Sequence, residues 1–259
     1  MGTTTLKPLP LHVLRPPTMP MHINLALDDV LAAAVARGKR APHLRIWRWN
    51  TPQIVIGSGQ SVANEVNEAA CQRNGVAISR RASGGGAMFM LPTDAITYSV
   101  IVPTAAIAQI SFQASYELLD SWAVTALRDL GVPAHYAPIN DIATPRAKIA
   151  GAAQKRYASG VTVHHTTASY TINESLMYEC LRIGAPAVSP RGHRSAVKQV
   201  DTIARYTPLP RAAVIDRLVA EFASEYHAPL SELTPEELTA AEELAARTYS
   251  TPEWTYRIP

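Results

Sequence analysis

The chain has 259 residues, of which 47% are hydrophobic and 17% are charged, and its formal net charge is +3. This length holds one large α/β domain or two modest ones, and so weak a positive charge gives no indication of nucleic-acid binding. The two cysteines, Cys71 and Cys180, lack metal-ligand spacing and fit a reducing cytoplasm. No stretch approaches the roughly 20 apolar residues that cross a bilayer, so we expect a cytoplasmic protein without a membrane partner.

The N-terminal part of the chain predicts an arm followed by short elements. Its prolines make residues 1–21 an irregular arm. Apolar residues at helical spacing predict a helix over 24–37. Alternating apolar residues predict a strand over 43–49, and the apolar run before Gly57 predicts another over 54–56. A short helix is predicted over 64–73.

Three consecutive glycines, residues 84–86, form the most informative segment of the chain. They separate two strand-like runs and follow Arg80 and Arg81. Glycine lets the backbone approach a ligand closely and adopt positive φ at little cost. The two arginines place positive charge beside the turn, which suits a carboxylate or a phosphate. We therefore predict that residues 80–89, here called the glycine loop, bind an anionic ligand.

The rest of the sequence predicts strands in the centre and helices around them. The predicted strands are 76–79, 96–102, 148–153, 160–164 and 168–172. The predicted helices are 111–130, 174–183 and 211–226, with a last helix that a capping box starts at Thr234. Residues 184–208, here called the basic loop, carry Arg191, His193, Arg194 and Lys198. Because strands and helices do not alternate strictly, we predict an α+β fold with mixed β-sheets flanked by helices.

Lys148 is the second candidate for chemistry, because the residues that follow it as far as Ala153 are mostly small. On a strand, such a lysine can extend its ammonium into a cleft and stabilise a carbonyl or a phosphate as charge develops. The alternative is a solvated lysine at a sheet edge. Upstream, Asn140 and Asp141 either mark a turn or bind Mg²⁺ or a purine edge.

Two further observations limit which residues and which known catalytic motifs can act at the site. His164 and His165 end a predicted strand, where adjacent side chains point to opposite faces, so at most one histidine faces the cleft. The chain lacks the phosphate-loop, metalloprotease, serine-hydrolase and dinucleotide-binding motifs. Neither cysteine lies next to the glycine loop or Lys148 in the sequence, so a cysteine nucleophile is not supported.

In combination, these segments resemble the lipoate–protein ligase A family of the biotin/lipoate ligase superfamily. The resemblance spans most of residues 22–256, and the triple glycine and the lysine segment are its specific motifs. The matching segments are Asn24–Asp28, Arg45–Gln60, Glu65–Asn67, Arg80–Phe89, Asn140–Ile142, Lys148–Ala152, His164–Thr166 and Tyr249–Trp254.

The resemblance implies an ATP-dependent ligase, with ATP and Mg²⁺ as cofactors and lipoate or octanoate as substrate. Lys148 is then the catalytic residue and touches both the phosphate and the acyl carbonyl, with Asp141 as a Mg²⁺ ligand. Met88 and Met90 would help to hold an apolar acyl tail. The implied acyl-adenylate site consists of Arg81, Ser83, Gly84, Gly85, Gly86, Ala87, Met88, Phe89, Asn140, Asp141, Lys148, Ala152 and His165.

The same resemblance implies a domain organisation and partners. Residues 22–259 would form one catalytic domain without the C-terminal accessory domain of two-domain ligases, so a separate accessory subunit is an expected partner. The acyl acceptor would be a lysine of a lipoyl carrier: an E2 domain, a glycine-cleavage H protein or another lipoate-binding protein. No nucleic-acid partner is expected.

Two alternatives to the ligase stay open. One is an ATP-independent octanoyl or lipoyl transferase of the same fold, which works through a cysteine thioester. Val161 and Pro138–Ile139 stand about where the transferase branches carry that cysteine, which favours the ligase. The other is a non-catalytic lipoyl-binding protein, suggested by Met90–Leu91 in place of the family's usual His-Asp pair.

Overall fold

The computed structural model of the chain describes residues 5–258 and confirms the α+β class. Its strands are β1 (His12–Leu14), β2 (His43–Ile46), β3 (Gln53–Ile56), β4 (Ala77–Arg80), β5 (Met88–Met90), β6 (Ala95–Pro103), β7 (His135–Ala137), β8 (Asp141–Ala143), β9 (Lys148–Arg156), β10 (Val161–Ser169) and β11 (Leu230–Ser231). Its α-helices are α1 (Met21–Ala36), α2 (Val62–Glu65), α3 (Glu68–Arg73), α4 (Phe112–Asp129), α5 (Glu174–Cys180), α6 (Arg211–Tyr226), α7 (Pro235–Leu244) and α8 (Pro252–Thr255).

Two mixed sheets organise these elements. The large sheet has eight strands in the order β11-β1-β2-β6-β10-β9-β8-β7, and the small sheet has the order β4-β3-β5. In the large sheet β1 runs parallel to β2 and β11, whereas β6, β10 and β9 pair antiparallel. The long β9–β10 hairpin therefore brings the lysine segment and the histidine pair side by side.

The alternation of side chains along the central strands produces two cores, one on each face of the large sheet. On one face, Tyr98 of β6 packs with Trp122 of α4 and Phe222 of α6. On the other face, Ile101 of β6 belongs to the core that contains α1 and α7. A third, smaller core lies between the small sheet and helices α3 and α5.

The N-terminal segment differs from the prediction of an irregular arm. His12–Leu14 forms β1 inside the large sheet, and Leu6 and Leu11 are fully buried in its core. Prolines are compatible with this arrangement because they flank the three-residue strand and occupy none of its hydrogen-bonding positions. Residues 1–4 of the predicted arm lie outside the described residues.

Several element boundaries also differ from the predictions. The helix expected over 64–73 is two helices, because Val66 adopts an extended conformation and bridges to Leu181 while Asn67 caps α3. The strand expected over 168–172 is wrong: β10 is continuous and ends at Ser169. The capping box at Thr234 is confirmed. Across residues 5–258, no helix combines the length and the apolar character needed to cross a membrane.

If the N-terminal segment belongs to the core, Leu11→Ala should lower the free energy of unfolding by about 2–5 kcal/mol, the range for a buried leucine that leaves a cavity. The matched control is Lys7→Ala, because Lys7 is exposed on the same segment. Urea unfolding followed by tryptophan fluorescence measures both. An effect of Leu11→Ala as small as that of the control would contradict the packing of this segment.

Candidate functional site

A cavity of about 470 Å³ lies between the glycine loop, the β9–β10 hairpin and the basic loop. Eleven of the thirteen predicted site residues line it: Arg81, Gly85, Gly86, Ala87, Met88, Phe89, Asn140, Asp141, Lys148, Ala152 and His165. Ser83 instead lines a small neighbouring cavity that it shares with His165, and Gly84 is exposed and lines neither. The structure therefore brings most of these residues together at one cavity, although the contacts of several side chains differ from those expected.

Arg80 is a structural residue rather than a ligand-binding one. Its guanidinium is fully buried and donates to the carbonyl oxygens of Gly57, Gln60 and Thr255, at 3.0, 2.6 and 2.7 Å. Burial lowers its pKa to about 10, so the group stays charged at neutral pH. Arg80 therefore fastens the C-terminal helix α8 to the turn after β3, which corrects the expectation that its charge faces a ligand.

Arg81 lies in the cavity wall, but carbonyl oxygens occupy its hydrogen-bond donors. It donates to Val55 at 3.0 Å, to Gly84 at 2.6 Å and to Gly86 at 2.8 Å, and its Nε donates to Ser83 Oγ. Burial lowers its pKa to about 10. Arg81 thus gives the cavity a positive potential while it holds the glycine loop by its backbone.

The hydrogen bonds from Arg81 to these carbonyl oxygens fix the orientation of the peptide groups in the glycine loop. In a planar trans peptide the N–H points opposite to the C=O. With the oxygens of Gly84 and Gly86 turned to Arg81, the N–H groups of Gly85 and Ala87 face away from it, and Ala87 donates to Ser195 Oγ at 2.8 Å. A backbone N–H group presented in this way, such as that of Gly85, suits an anion.

Gly85 and Gly57 make this loop geometry possible. Gly85 has φ of 87°, in the left-handed region that glycine adopts at little cost. A Cβ on Gly57 would lie 2.1 Å from the carbonyl oxygen of Gly85, so only glycine permits this backbone-to-backbone approach.

Lys148 extends its ammonium over Gly151, as the small residues after it predicted. A Cβ on Gly151 would lie 2.3 Å from Lys148 Nζ. The ammonium is 2.8 Å from Asp141 Oδ1, and Lys198 of the basic loop bonds the other oxygen of the same carboxylate. Asn140, beside Asp141, donates its side-chain amide to the carbonyl of Ala152 at 2.6 Å.

The donor set at Asp141 does not fit a magnesium ion held by protein side chains. Both carboxylate oxygens face lysine ammonium groups. Glu65, the other carboxylate in the cavity wall, pairs with Arg194 and Ser195. No cluster of three acidic, histidine or cysteine side chains suitable for a metal occurs within residues 5–258.

Only one of the two adjacent histidines faces the cavity, as predicted. His165 Nε2 is 2.6 Å from Ser83 Oγ, and its Nδ1 is 3.7 Å from Asp28 Oδ2. Burial lowers the pKa of His165, so its imidazole is neutral at pH 7. His164 points to the opposite face of β10, where its Nε2 lies 2.9 Å from Asp120.

A buried ion pair positions the residues behind His165. Arg45 of β2 donates to Asp28 Oδ1 at 2.7 and 3.0 Å, and Ser99 of β6 donates to Asp28 Oδ2 at 2.7 Å. Burial opposes ionisation of Asp28, yet the charge of Arg45 and these hydrogen bonds hold its pKa below the usual value. Asn24 accepts from the same guanidinium, which fixes helix α1 against the sheet.

The cavity has an apolar wall next to these polar groups. Met88 and Met90 lie on one face of β5 with Val55 of the neighbouring strand, and Leu25 and Trp47 complete this wall. Phe89, on the other face of β5, also lines the cavity and packs against the third core. The expected apolar slot beside Met88 and Met90 is thus present.

Both cysteines are packing residues away from the cavity. Cys71 and Cys180 are buried in the third core, where Cys71 Sγ lies 3.9 Å from the carbonyl oxygen of Cys180. Burial raises the pKa of the Cys71 thiol to about 12 and raises that of Cys180 as well. Neither residue lines the cavity.

Sequence reasoning missed the part of the basic loop that covers the glycine loop. Ser195 accepts from Gln60 at 3.0 Å as well as from Ala87, and it donates to Glu65. Arg194, Ser195 and Lys198 all line the cavity. The concentration of basic residues in this loop was visible in the sequence, but the contacts that place it over the site join distant segments.

The family model of the lipoyl protein ligase A/B catalytic domain matches residues 20–223. An octanoyltransferase LipM from Kyrpidia tusciae is 30% identical over 90% of this chain and 94% of its own length. A probable lipoate-protein ligase A from Mycoplasma pneumoniae is 26% identical over 95% of this chain and 71% of its own length.

Two solved structures show the same fold. One is lipoate-protein ligase A bound with ATP, with a TM-score of 0.78 and 23% identity over 95% of this chain and 98% of that chain. The other is a bi-partite lipoate protein ligase from Thermoplasma acidophilum, described with its E2 lipoyl domain. Its TM-score is 0.76, with 22% identity over 95% of this chain and 96% of that chain.

The raised pKa values predict unreactive thiols. At pH 8 both thiols are protonated, because this pH lies below their folded-state pKa values, and both are buried. We expect the native protein to show almost no reaction with an aromatic disulfide reagent over minutes, and two equivalents to react once the chain is unfolded in guanidinium. Rapid modification of one thiol in the native state would contradict the packing assignment.

Proposed function

Because the chain belongs to the lipoyl protein ligase A/B family, we propose that it is a lipoate–protein ligase. It activates lipoate or octanoate with ATP to an acyl adenylate and passes the acyl group to a lysine of a lipoyl carrier domain. The acyl adenylate, an acyl group joined to a phosphate, is the species that occupies the cavity.

The observation that carries this proposal is the chemical character of the cavity. An enzyme thioester requires a thiolate beside the substrate, and both cysteines lie in a separate core with raised thiol pKa values. An acyl phosphate requires cations and backbone donors, which Lys148 and the glycine loop supply.

The geometry supports two steps of one mechanism. In the first, the carboxylate of the acyl chain attacks the α-phosphorus of ATP and pyrophosphate leaves. In the second, the carrier amine attacks the acyl carbonyl and AMP leaves, forming an amide. Lys148 has three N–H groups and forms an ion pair with Asp141. Its N–H groups can bind the phosphate oxygen and the acyl oxygen on which negative charge develops.

The apolar wall supports an acyl chain as the substrate. Leu25, Trp47, Val55, Met88 and Met90 can enclose the hydrocarbon part of lipoate or octanoate, and methionine adapts to either shape. For the acceptor we propose an E2-type lipoyl domain, by analogy with the Thermoplasma ligase. That ligase is bi-partite, so we also propose an accessory subunit for the adenylation step.

A second candidate function is ATP-independent acyl transfer in the same cavity. It is favoured by the Kyrpidia relative, which is named an octanoyltransferase. In this chain such a transfer has no thiol in the cavity to carry the acyl group, so the donor thioester would have to meet the carrier amine directly.

Acyl donors distinguish the two functions. Purified protein and a lipoyl domain are incubated with lipoyl-AMP, with lipoate and magnesium ATP, or with octanoyl-acyl carrier protein, and the domain is weighed by mass spectrometry. We expect acylation from lipoyl-AMP at a rate that the Cys71→Ala, Cys180→Ala double variant retains within about twofold, since neither thiol takes part. Supplying lipoyl-AMP makes this result independent of an accessory subunit.

Acylation from the carrier-protein thioester alone, together with loss of activity in the double variant, would contradict the ligase and favour the transferase. A heat-inactivated sample corrects for direct reaction of lipoyl-AMP with the domain.

Two variants test the role of the Lys148 ammonium and of its position above Gly151. Lys148→Met should lower the rate of transfer from lipoyl-AMP by at least about a hundredfold, roughly 2.7 kcal/mol in the barrier. Gly151→Ala should also lower it, because the added methyl group displaces the ammonium from above residue 151. The matched control is Gly84→Ala, which meets no atom within 4 Å. Equal rates in Gly151→Ala and Gly84→Ala would show that this position of Lys148 is unimportant.

A further inference from the structure

Lys198 of the basic loop reaches the carboxylate that also holds Lys148. Its ammonium bonds Asp141 Oδ2, while Lys148 Nζ lies 2.8 Å from Oδ1. The carboxylate side chain is 6% exposed, whereas the side chain of Lys198 is 42% exposed. Two cations therefore share one buried anion, and all three side chains line the cavity.

The backbone on both sides of Lys198 is fastened to the site. Three residues before it, Ser195 bonds the amide of Ala87 in the glycine loop. Three residues after it, the amide of Asp201 donates to the carbonyl oxygen of Lys148 at 2.7 Å, and Val200 forms a bridge with Lys148. Lys198 is thus held at the cavity from both directions.

The two arginines of the cavity wall already have partners within the protein. Arg81 donates to carbonyl oxygens of the glycine loop, and Arg194 lies 3.3 Å from the carboxylate of Glu65. Each lysine ammonium, in contrast, has three N–H groups. Asp141 accepts one from Lys198 and forms an ion pair with Lys148. Lys148 and Lys198 therefore retain donors for a ligand.

We propose that Lys198 is a second phosphate-binding residue and that Asp141 is the positioning carboxylate which holds both ammonium groups at the acyl phosphate. This inference rests on the proposed function. Two ammonium groups and one carboxylate leave one positive charge, which the single negative charge of an acyl adenylate neutralises. The phosphate has two non-bridging oxygens, so each lysine can bind one of them.

The test compares two non-hydrolysable lipoyl-adenylate analogues, one with an anionic phosphonate linker and one with an uncharged sulfone linker, by calorimetry. Lys198→Met should raise the Kd of the anionic analogue about tenfold, roughly 1.4 kcal/mol, and that of the uncharged analogue less than about twofold. Lys198→Arg, which keeps the charge, should stay within about threefold for both.

The matched control is Arg191→Met, which removes a positive charge from an exposed position of the same loop that does not line the cavity. It should bind both analogues like the wild-type protein. For Asp141→Asn, the direction of the change in affinity for the anionic analogue decides between two roles of Asp141. Removing a negative charge would tighten binding of the anionic analogue if Asp141 only repelled it, whereas loss of the positioning carboxylate should weaken that binding several-fold.

The outcomes separate this inference from the proposed function. If the wild-type protein binds neither analogue, both fail. If it binds both, and Lys198→Met weakens the two equally or not at all, the function stands and the role of Lys198 is refuted. Tighter binding of the anionic analogue by Asp141→Asn would refute the positioning role of Asp141.

Discussion

The structure of the site depends on hydrogen bonds between buried arginines and the backbone of the glycine loop and its neighbouring turn. Arg81 donates hydrogen bonds to the carbonyl oxygens of Gly84 and Gly86, and Arg80 donates to those of Gly57 and Gln60. Buried carbonyl oxygens need such donors, and a charged donor makes the stronger bonds. Because the oxygens are directed to the protein side, the loop can present N–H groups to the cavity. The guanidinium groups therefore shape this wall of the cavity through the backbone.

A second constraint acts from the other side of the cavity. The Arg45–Asp28 ion pair joins helix α1 to the large sheet, and Ser99 donates a hydrogen bond to the second oxygen of the carboxylate. Removing one partner of such a buried pair leaves the other charge uncompensated, which typically costs about 3–5 kcal/mol. Asp28 also lies 3.7 Å from His165, whose other nitrogen contacts Ser83 at 2.6 Å. The ion pair therefore fixes the wall of the cavity as well as the helix.

The sequence was informative where chemistry is local and less so where distant segments meet. The triple glycine, the small residues beside Lys148 and the alternation at the histidine pair could be interpreted directly, and the structure places them together. The roles of Arg80 and Arg81 could not be predicted, because their acceptors are backbone carbonyl groups that carry no sequence signal. The burial of β1 was missed because proline content indicates irregular structure, whereas its pairing with β2 and β11 is a long-range property. The coverage of the site by Ser195 and Lys198 depends on similar long-range contacts.

We propose that the cavity accommodates an acyl adenylate, with its phosphate at the glycine loop and Lys148 and its acyl chain along the apolar wall. A crystal structure of the protein with a non-hydrolysable lipoyl-adenylate analogue tests this most directly. We expect the linker within hydrogen-bonding distance of Lys148 Nζ and the amides of Gly85 and Gly86, and the lipoyl chain against Trp47, Met88 and Met90. An analogue bound outside this cavity, or with its linker away from Lys148, would rule out this placement.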